Sequence, residues 1–461
     1  MRLTVTTMNA HPRDRTSFIW KGRFFHLEWK ISSIYFGRYL FFAYICIITI
    51  KGVTMLRQNQ IAQVIDIQEA TYKPSKGEIL REQLQQIKNY PEYASIITGL
   101  RRVGKSTLLR QIAKSKQYKH TTYLNFDDIR LTNFETDDFN RLYKEIKDRE
   151  SEELFFDEIQ LVKGWEIFIH QLLREGYTVY ISGSNATLLS VDLGTHLTGR
   201  NLQNELFPFS YTEFLTFEKM EASAASFQKY MLRGGIPEYL RTQEPLILSS
   251  LLDDVLIRDI AVNKGVSNVQ SLRKLAIYLL TNIGKPYSAN RLKSVCGVSS
   301  STTVSDYISY MIDAYLVGSI GLYSNSLQVT ARNPKKVYCY DTGLIASLSL
   351  SKTPDKGRLL ENQVFIWLRH QYALNHIFYE RGKGECDFVA VDTTNHPELL
   401  LQVCYELNDD NFQREMNGLT EAMQKYQLRV GFIITADVED EFNTEAGKVN
   451  VVKAWKWMSG H

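Results

Sequence analysis

The feature that most constrains this chain is a glycine-framed loop at residues 99–106, with the sequence GLRRVGKS. The apolar residues 95–98 before it predict a β-strand, and residues 107–113 after it have helical spacing. Glycines let the backbone curl so that successive N–H groups point inward, and the start of the following helix adds positive potential. A strand, loop and helix in this order predict an α/β fold with a phosphate-binding site.

Individual side chains of this loop have expected roles. Lys105 can reach the β- and γ-phosphates of a nucleotide, and the Ser106 hydroxyl can ligate Mg²⁺. The motif therefore predicts that the chain binds a nucleoside triphosphate with Mg²⁺. The residues expected to bind the nucleotide are Gly99, Arg102, Gly104, Lys105, Ser106 and Thr107.

A second motif, Asp157 followed by Glu158, comes directly after the apolar residues 154–156. A buried strand there would carry Asp157 to the sheet edge as a Mg²⁺ ligand, and would place Glu158 to polarise a water as the catalytic base. This pair favours hydrolysis over phosphoryl transfer to a substrate. The alternative is that both acids only end a strand and begin a helix. The sequence has no Asn-Lys-x-Asp stretch of the kind that reads a guanine base, which argues against a GTPase.

Two further segments are candidates for the reaction. The predicted strand 178–181 is followed by Ser184 and Asn185, which either orient the attacking water or cap the next helix. Arg200 follows a glycine, and an arginine supplied to a neighbouring subunit's nucleotide would stabilise charge on the transferring phosphoryl group. The alternative for Arg200 is a solvated surface position.

Together these segments resemble bacterial and archaeal ATPases of the AAA+ superfamily. The resemblance covers most of residues 55–461 and implies a Mg²⁺-dependent ATPase that uses ATP hydrolysis to change a conformation or the binding of a partner. It strengthens Arg200 as a catalytic residue acting in a neighbouring subunit of a homo-oligomer, and it implies that Arg233 or Arg258 senses the nucleotide. The C-terminal third looks like the family's domain of unknown function. The motifs that carry the resemblance are residues 99–106, 157–160, 182–184, 199–200, 208–210 and 233–237.

The chain divides into a leader at residues 1–54, a P-loop ATPase domain at 55–215, a helical region at 216–345 and a C-terminal α/β domain at 357–461. The apolar run 39–50 in the leader is short for a membrane span, so we expect no stable membrane insertion. We interpret the leader as non-family or disordered sequence. A short membrane anchor stays the alternative.

The helical region has a winged-helix-like pattern, with predicted helices near residues 272–280, 288–295 and 299–316 followed by two strands. The third helix carries Asp306 and Asp313 but neither Lys nor Arg, whereas a major-groove reader presents basic or amide side chains. A lid or a protein contact is therefore favoured, and DNA binding stays open.

The predicted layout of the C-terminal domain resembles restriction-endonuclease-like folds, in which two acids and a Glu-x-Lys strand gather a metal. Glu361 and Asp387 match that pattern, but Gln402 and Cys404 stand at the other two positions. An amide is a poor ligand for a hard metal, and a thiol cannot replace an ammonium. We therefore expect a module that does not cleave nucleic acid, although a nuclease and an ATP-switched DNA-binding regulator remain alternatives. For Glu361 and Asp387, two interpretations stay open: they retain a binding role, or they are ordinary surface acids.

The distribution of charge and the spacing of the cysteines indicate which partners and which cellular compartment to expect. Residues 1–55 contain eight Lys or Arg and two Asp or Glu. Because the whole chain has a net charge of +3, the residues after Met55 carry a net charge of −3. That body gives no global electrostatic case for nucleic-acid binding, and the client is open between DNA and a protein. The five cysteines have no metal-ligand spacing, which favours reduced thiols in the cytoplasm.

Overall fold

The computed structural model describes residues 56–71, 78–87, 90, 92–115, 120–183, 199–324, 326–350 and 355–460, and two strands before residue 56. Its contacts divide the chain into two units, Met1–Met55 and Leu56–His461. In the first unit, β1 (Arg15–Trp20) pairs antiparallel with β2 (Arg23–Glu28). The rest of the leader, including the apolar run 39–50, lies outside the described residues. No helix in the described part of the chain is long and apolar enough to cross a membrane.

The second unit begins with a five-stranded sheet in which all strands are parallel, in the order β4-β5-β6-β3-β7. Because the strands are parallel, their C-terminal ends lie along one edge, where ligands bind in open α/β sheets. The strands are β3 (Ala94–Thr98), β4 (Thr121–Asn125), β5 (Glu153–Asp157), β6 (Thr178–Ser182) and β7 (Asn201–Glu205).

Both faces of this sheet are covered, which agrees with the apolar residues of its buried strands β3 and β5. Ile97 and Phe155 pack into one core, and the alternating residues Ile96 and Phe156 pack into the other. The flanking helices are α1 (Gln58–Thr71), α2 (Lys105–Ser115), α3 (Phe139–Asp148) and α4 (Trp165–Arg174). Short 3₁₀ turns lie at Glu82–Gln85, Ile129–Leu131, Thr136–Asp138 and Ile159–Leu161.

A helical region follows the parallel sheet. The three helices predicted near its end are present, with Val304, Ile308 and Met311 buried along one face of the third. The winged-helix assignment of these helices stays a prediction. The helices are α5 (Tyr211–Glu218), α6 (Ala224–Arg233), α7 (Pro237–Thr242), α8 (Leu246–Asp254), a π-helical segment Val255–Val262, α9 (Val269–Thr281), α10 (Ala289–Cys296) and α11 (Ser301–Asp313).

The remaining strands form a nine-stranded mixed sheet in the order β15-β16-β14-β13-β12-β11-β9-β10-β8. Its strands are β8 (Pro286–Tyr287), β9 (Val317–Leu322), β10 (Lys335–Cys339), β11 (Ile377–Arg381), β12 (Glu385–Val391), β13 (Pro397–Val403), β14 (Val430–Thr435), β15 (Asp440–Thr444) and β16 (Gly447–Lys453). Its helices are α12 (Leu327–Arg332), α13 (Thr342–Leu348), α14 (Lys356–Gln371), α15 (Asp409–Tyr426) and α16 (Ala454–Ser459), with a 3₁₀ turn at Leu374–His376.

The strands expected to form a separate wing belong to this C-terminal sheet. Strand β9 pairs parallel with β11, with Gly321 opposite Phe378. Helix α14 packs so closely on β9 that a Cβ on Gly318 would lie 2.4 Å from the Phe365 ring. The helical region and the C-terminal domain therefore share a sheet across the predicted boundary, because two strands separated in the chain by three helices and β10 meet through long-range pairing.

Candidate functional site

The glycine-framed loop connects the end of β3 to the first turn of α2, which begins at Lys105. The backbone has positive φ angles at three of its positions, +150° at Gly99, +66° at Arg102 and +98° at Gly104. Glycine adopts such angles readily, whereas Arg102 adopts an angle that is uncommon for a residue with a side chain. The loop thus has the tight curl expected of a cradle of N–H groups, with some strain held at Arg102.

Gly99 is also required by close packing, because a Cβ there would lie 2.1 Å from the carbonyl oxygen of Leu206. We expect Gly99→Ala to lower the free energy of unfolding by about 3 kcal/mol, since the neighbouring strand must shift. Urea denaturation measures the loss. The control Gly265→Ala has a φ of +66° but no atom within 4 Å of the new Cβ, so it should cost only ~1 kcal/mol. Equal losses in the two variants would contradict the packing argument.

Lys105 lies folded against its own loop. Its Nζ donates hydrogen bonds of 3.0 Å to the carbonyl oxygens of Gly99 and Leu100, and the residue is only 6% exposed. Burial lowers the pKa of this ammonium, and the nearby charge of Glu158 opposes that shift. Ser106 is exposed and Thr107 half-buried in the same first helical turn. The Lys105 ammonium thus lies on the carbonyls of its own loop, and contacts of this ammonium and of the two hydroxyls with phosphate stay a prediction.

Asp157 is fully buried at the C-terminal end of β5, where two hydroxyl groups hold its carboxylate. The Tyr123 hydroxyl donates to Oδ2 at 3.0 Å, and the Ser182 hydroxyl at the end of β6 donates to Oδ1. This fixes the orientation of the carboxylate beside the loop. Ser184 and Asn185, the candidates to orient the attacking water, follow β6 in the sequence and lie outside the described residues.

Glu158 follows in the left-handed conformation, with a φ of +54°. Its N–H donates to the carbonyl oxygen of Ser182 at 3.0 Å, and its carboxylate accepts a hydrogen bond from the side-chain amide of Gln160. Burial raises the pKa of Glu158, although the charge of Lys105 acts in the opposite direction. A carboxyl group with a raised pKa is better suited to accept a proton from water.

The loop and Glu158 line a cavity of about 350 Å³. The loop contributes residues 101–107 to the lining, including the cationic side chains of Arg101, Arg102 and Lys105. The lining also contains the apolar residues Ile79, Phe209, Phe217 and Pro237. Ligand pockets of this size, which combine a few charged groups with apolar side chains, suit a molecule with one anionic and one planar apolar end.

Arg81, which sequence reasoning missed, lines the same cavity and holds the loop in place. It is 3% exposed, forms an ion pair of 2.8 Å with Glu213, and donates hydrogen bonds of 2.7 Å to the carbonyl oxygens of Val103 and Phe207. It thereby ties the loop to the segment after β7. No motif surrounds Arg81 in the sequence, and its role depends on contacts far along the chain.

The two loop arginines are bound by the helical region, Arg101 by Asp259 and Arg102 by Asp254. Sequence reasoning missed both partners. A signal was present, because both acids lie in the mainly apolar helical stretch 251–262, whose other charged residues are Asp253 and Arg258.

Arg200 lies at the other end of the sheet from the loop. Its carbonyl oxygen accepts from the N–H of Ala94, at the start of β3, whereas the loop follows the end of that strand. It therefore does not reach the cavity of its own chain. The two arginines expected to sense nucleotide do not line the cavity either: Arg233 pairs with Glu218 at 2.9 Å, and Arg258 is 69% exposed.

The C-terminal acids form a cluster around a lysine from the neighbouring region. The Lys336 ammonium lies 3.3 Å from Glu361, 2.8 Å from Glu385 and 3.2 Å from Asp387, and its side chain is 2% exposed. Glu361 and Asp387 are therefore not ordinary surface acids. Burial raises the pKa of Asp387 to about 7 despite this ammonium. Among the described residues, no group of three or more His, Cys, Asp or Glu could hold a metal ion.

The two substituted positions have other roles. Gln402 accepts a hydrogen bond from the Asp387 N–H at 3.2 Å and donates to Glu415. Burial raises the pKa of the Cys404 thiol to about 11, so that group carries no charge at neutral pH. The cation beside Asp387 thus comes from Lys336, which the sequence pattern did not reveal because it lies on a distant strand.

We expect Lys336→Met to lower the free energy of unfolding by ~4 kcal/mol at pH 8, because three carboxylates lose their shared cation. The loss should shrink as the pH falls, since protonation of a carboxyl whose folded pKa is raised relieves the repulsion. Chemical denaturation at pH 8 and pH 5.5 measures both effects. The adjacent, exposed Lys335→Met is the control, and an equal loss in both variants would contradict the prediction.

A family model described as an AAA domain matches residues 91–215, which include the loop, Asp157 and Glu158. A second model, described as Domain of unknown function (DUF8612), matches residues 224–355, which cover most of the helical region and β8–β10.

Similar proteins occur in an archaeon and a bacterium. An uncharacterized protein of Methanocaldococcus jannaschii is 32% identical over 411 residues, covering 83% of this chain and 91% of the relative. One of Haemophilus influenzae is 29% identical over 408 residues, covering 83% of this chain and 99% of the relative. The structure of AMPPCP-bound DnaA from Aquifex aeolicus is 15% identical with a TM-score of 0.24, covering 50% of this chain and 85% of that chain.

Proposed function

This chain belongs to the family of P-loop ATPases with an AAA domain, and from that premise we propose that it hydrolyses ATP with Mg²⁺ and uses the reaction to rearrange its helical region or to change the binding of a partner. The observation that carries the proposal is that Lys105 and Glu158 line one cavity, while Asp157 precedes Glu158 in the chain and is close enough for its charge to act on both. The apolar side chains of the cavity are suited to a nucleobase and the loop to the phosphates.

The donor set fits Mg²⁺. The Ser106 hydroxyl and the Asp157 carboxylate are hard oxygen ligands, and Mg²⁺ prefers such ligands together with phosphate oxygens and water. The hydroxyls of Tyr123 and Ser182 hold Asp157 in place and leave further lone pairs on its oxygens. When bound, Mg²⁺ would neutralise negative charge on the phosphates.

Lys105 and Glu158 have separate roles in the proposed hydrolysis. Lys105 exchanges its two carbonyl acceptors for phosphate oxygens, which are stronger partners because they are charged. Glu158 accepts a proton from a water whose oxygen bonds to the γ-phosphorus, while the bond from that phosphorus to the bridging oxygen breaks. The products are ADP and inorganic phosphate.

Calorimetric titration of the full chain with ATP and Mg²⁺, followed by a phosphate-release assay, tests this function. We expect saturable binding at one site per chain and phosphate release that chelation by EDTA abolishes. Failure to bind ATP would overturn the proposal. Binding without release would restrict the protein to an ATP-binding role.

A second candidate function, DNA binding or cleavage, is disfavoured by the charges. Between residues 355 and 461, 17 Asp or Glu stand against 11 Lys or Arg, and Asp306 is exposed on the helix that would enter a groove. Such surfaces repel phosphates. A salt-dependent shift of duplex DNA in a gel would revive this alternative.

The partner and compartment are proposals of the same kind. Because Arg200 does not reach the cavity of its own chain, a catalytic role for it requires a second copy in a homo-oligomer. A cytoplasmic location is supported by the four described cysteines, Cys296, Cys339, Cys386 and Cys404, which are free thiols in buried positions.

A further inference from the structure

The two arginines of the phosphate loop are held by carboxylates of the helical region. Arg101 donates two hydrogen bonds to Asp259, from Nε at 3.0 Å and from Nη2 at 2.6 Å. Arg102 donates from Nη2 to Asp254 at 2.6 Å, and Glu238 lies 3.4 Å from the same guanidinium. Bidentate and charge-assisted bonds of this kind are among the strongest that side chains make.

The acids come from a distinct part of the fold. Asp254 ends α8, and Asp259 lies inside the π-helical segment Val255–Val262. Segments of π-helix are rare and occur frequently at functional sites. The Asp259 side chain is 4% exposed and the Arg101 side chain 26% exposed, so their charges depend on each other rather than on water.

Both arginines also face the cavity proposed to bind ATP. They line it together with Lys105 and Glu158, and the charges of Glu158 and Arg101 shift each other's pKa. The phosphates of a nucleotide are therefore competitors of Asp254 and Asp259 for the same guanidinium groups. Because the carboxylates and the phosphates would both contact the same guanidinium groups, their negative charges also repel each other.

We propose that the Arg101–Asp259 and Arg102–Asp254 pairs form a nucleotide-sensitive latch. Without nucleotide, the latch holds residues 246–262 on the phosphate loop. Triphosphate oxygens take over the two arginines, and the segment is released. Asp254 then retains Arg258, 3.5 Å away in the π-helical segment that follows α8, whereas Asp259 gains water as the segment moves. This inference rests on the proposed ATP binding and adds a route from the nucleotide to the helical region.

Hydrogen exchange of the full chain tests the latch, with calorimetry as an independent measure of binding. With a saturating non-hydrolysable ATP analogue and Mg²⁺, we expect amide exchange in residues 246–262 to accelerate about tenfold. Binding of the analogue with unchanged or slower exchange in this segment would overturn the latch and leave the proposed function intact. Absence of binding would overturn both.

Variants test the latch without relying on the nucleotide. In nucleotide-free protein, Asp259→Asn and the more exposed Asp254→Asn should each accelerate exchange in residues 246–262, and each should tighten ATP binding about tenfold by removing a competitor. The second variant serves if the first does not fold. Asp253→Asn is the matched control, because Asp253 pairs with Arg273 on the surface and not with the loop. Normal exchange and affinity in the folded latch variants, or an equal effect of the control, would overturn the latch.

Discussion

Replacing Lys105 by alanine is expected to weaken ATP binding at least about 100-fold while leaving the nucleotide-free fold intact. The ammonium supplies charge-assisted bonds to the phosphates, and loss of such bonds costs ~3 kcal/mol. The fold should tolerate the change, because the hydrogen bonds of this group to described residues go to the Gly99 and Leu100 carbonyls, and its burial already disfavours the charge.

Thermal unfolding with and without ATP and Mg²⁺ separates these two effects. The variant should melt at a temperature close to that of the wild type, but ATP should no longer raise that temperature, since stabilisation by a ligand depends on its affinity. Lys114→Ala is the matched control, since Lys114 lies exposed in the last turn of the same helix. A variant that still binds ATP with wild-type affinity would show that Lys105 is not the phosphate-binding lysine.

The sequence predicted the elements whose identity depends on local pattern. The apolar runs before Gly99 and Asp157 are buried strands, and the loop leads into a helix at Lys105, because periodicity and glycine placement act over a few neighbouring residues. Both strands end on the same sheet edge. The placement of Lys105 and Glu158 beside one cavity follows from that topology.

The parts that were missed depend on contacts between residues far apart in the chain. Arg81 meets Glu213, and Lys336 meets Asp387, only because the completed fold brings distant segments together. A buried charge leaves no periodic trace in a sequence, since its burial is tolerated through a partner elsewhere. The pairing of β9 with β11 is long-range in the same sense, and β-pairing of this kind has no local signal.

The second large effect concerns the catalytic base. Glu158→Gln should bind ATP with an affinity close to that of the wild type and lose about 10²- to 10⁴-fold in turnover, because an amide cannot accept the proton of the attacking water. The fold should be retained, since glutamine has the same shape and can still accept the hydrogen bond from Gln160. Glu152→Gln is the control, at an exposed position just before the opposite end of β5.

The pH dependence of the reaction distinguishes a base from a merely structural residue. Glu158 acts as a base only when ionised, and burial raises its pKa, so turnover should be lost as the pH falls through a value above 4.5, the ordinary value for glutamate. In the glutamine variant, the residual rate should lack this acidic limb. Phosphate release measured against pH under saturating ATP reports both. Retained ATP binding together with loss of the acidic limb would identify Glu158 as the base. A glutamine variant that turns over at the wild-type rate would instead show that Glu158 is not the base.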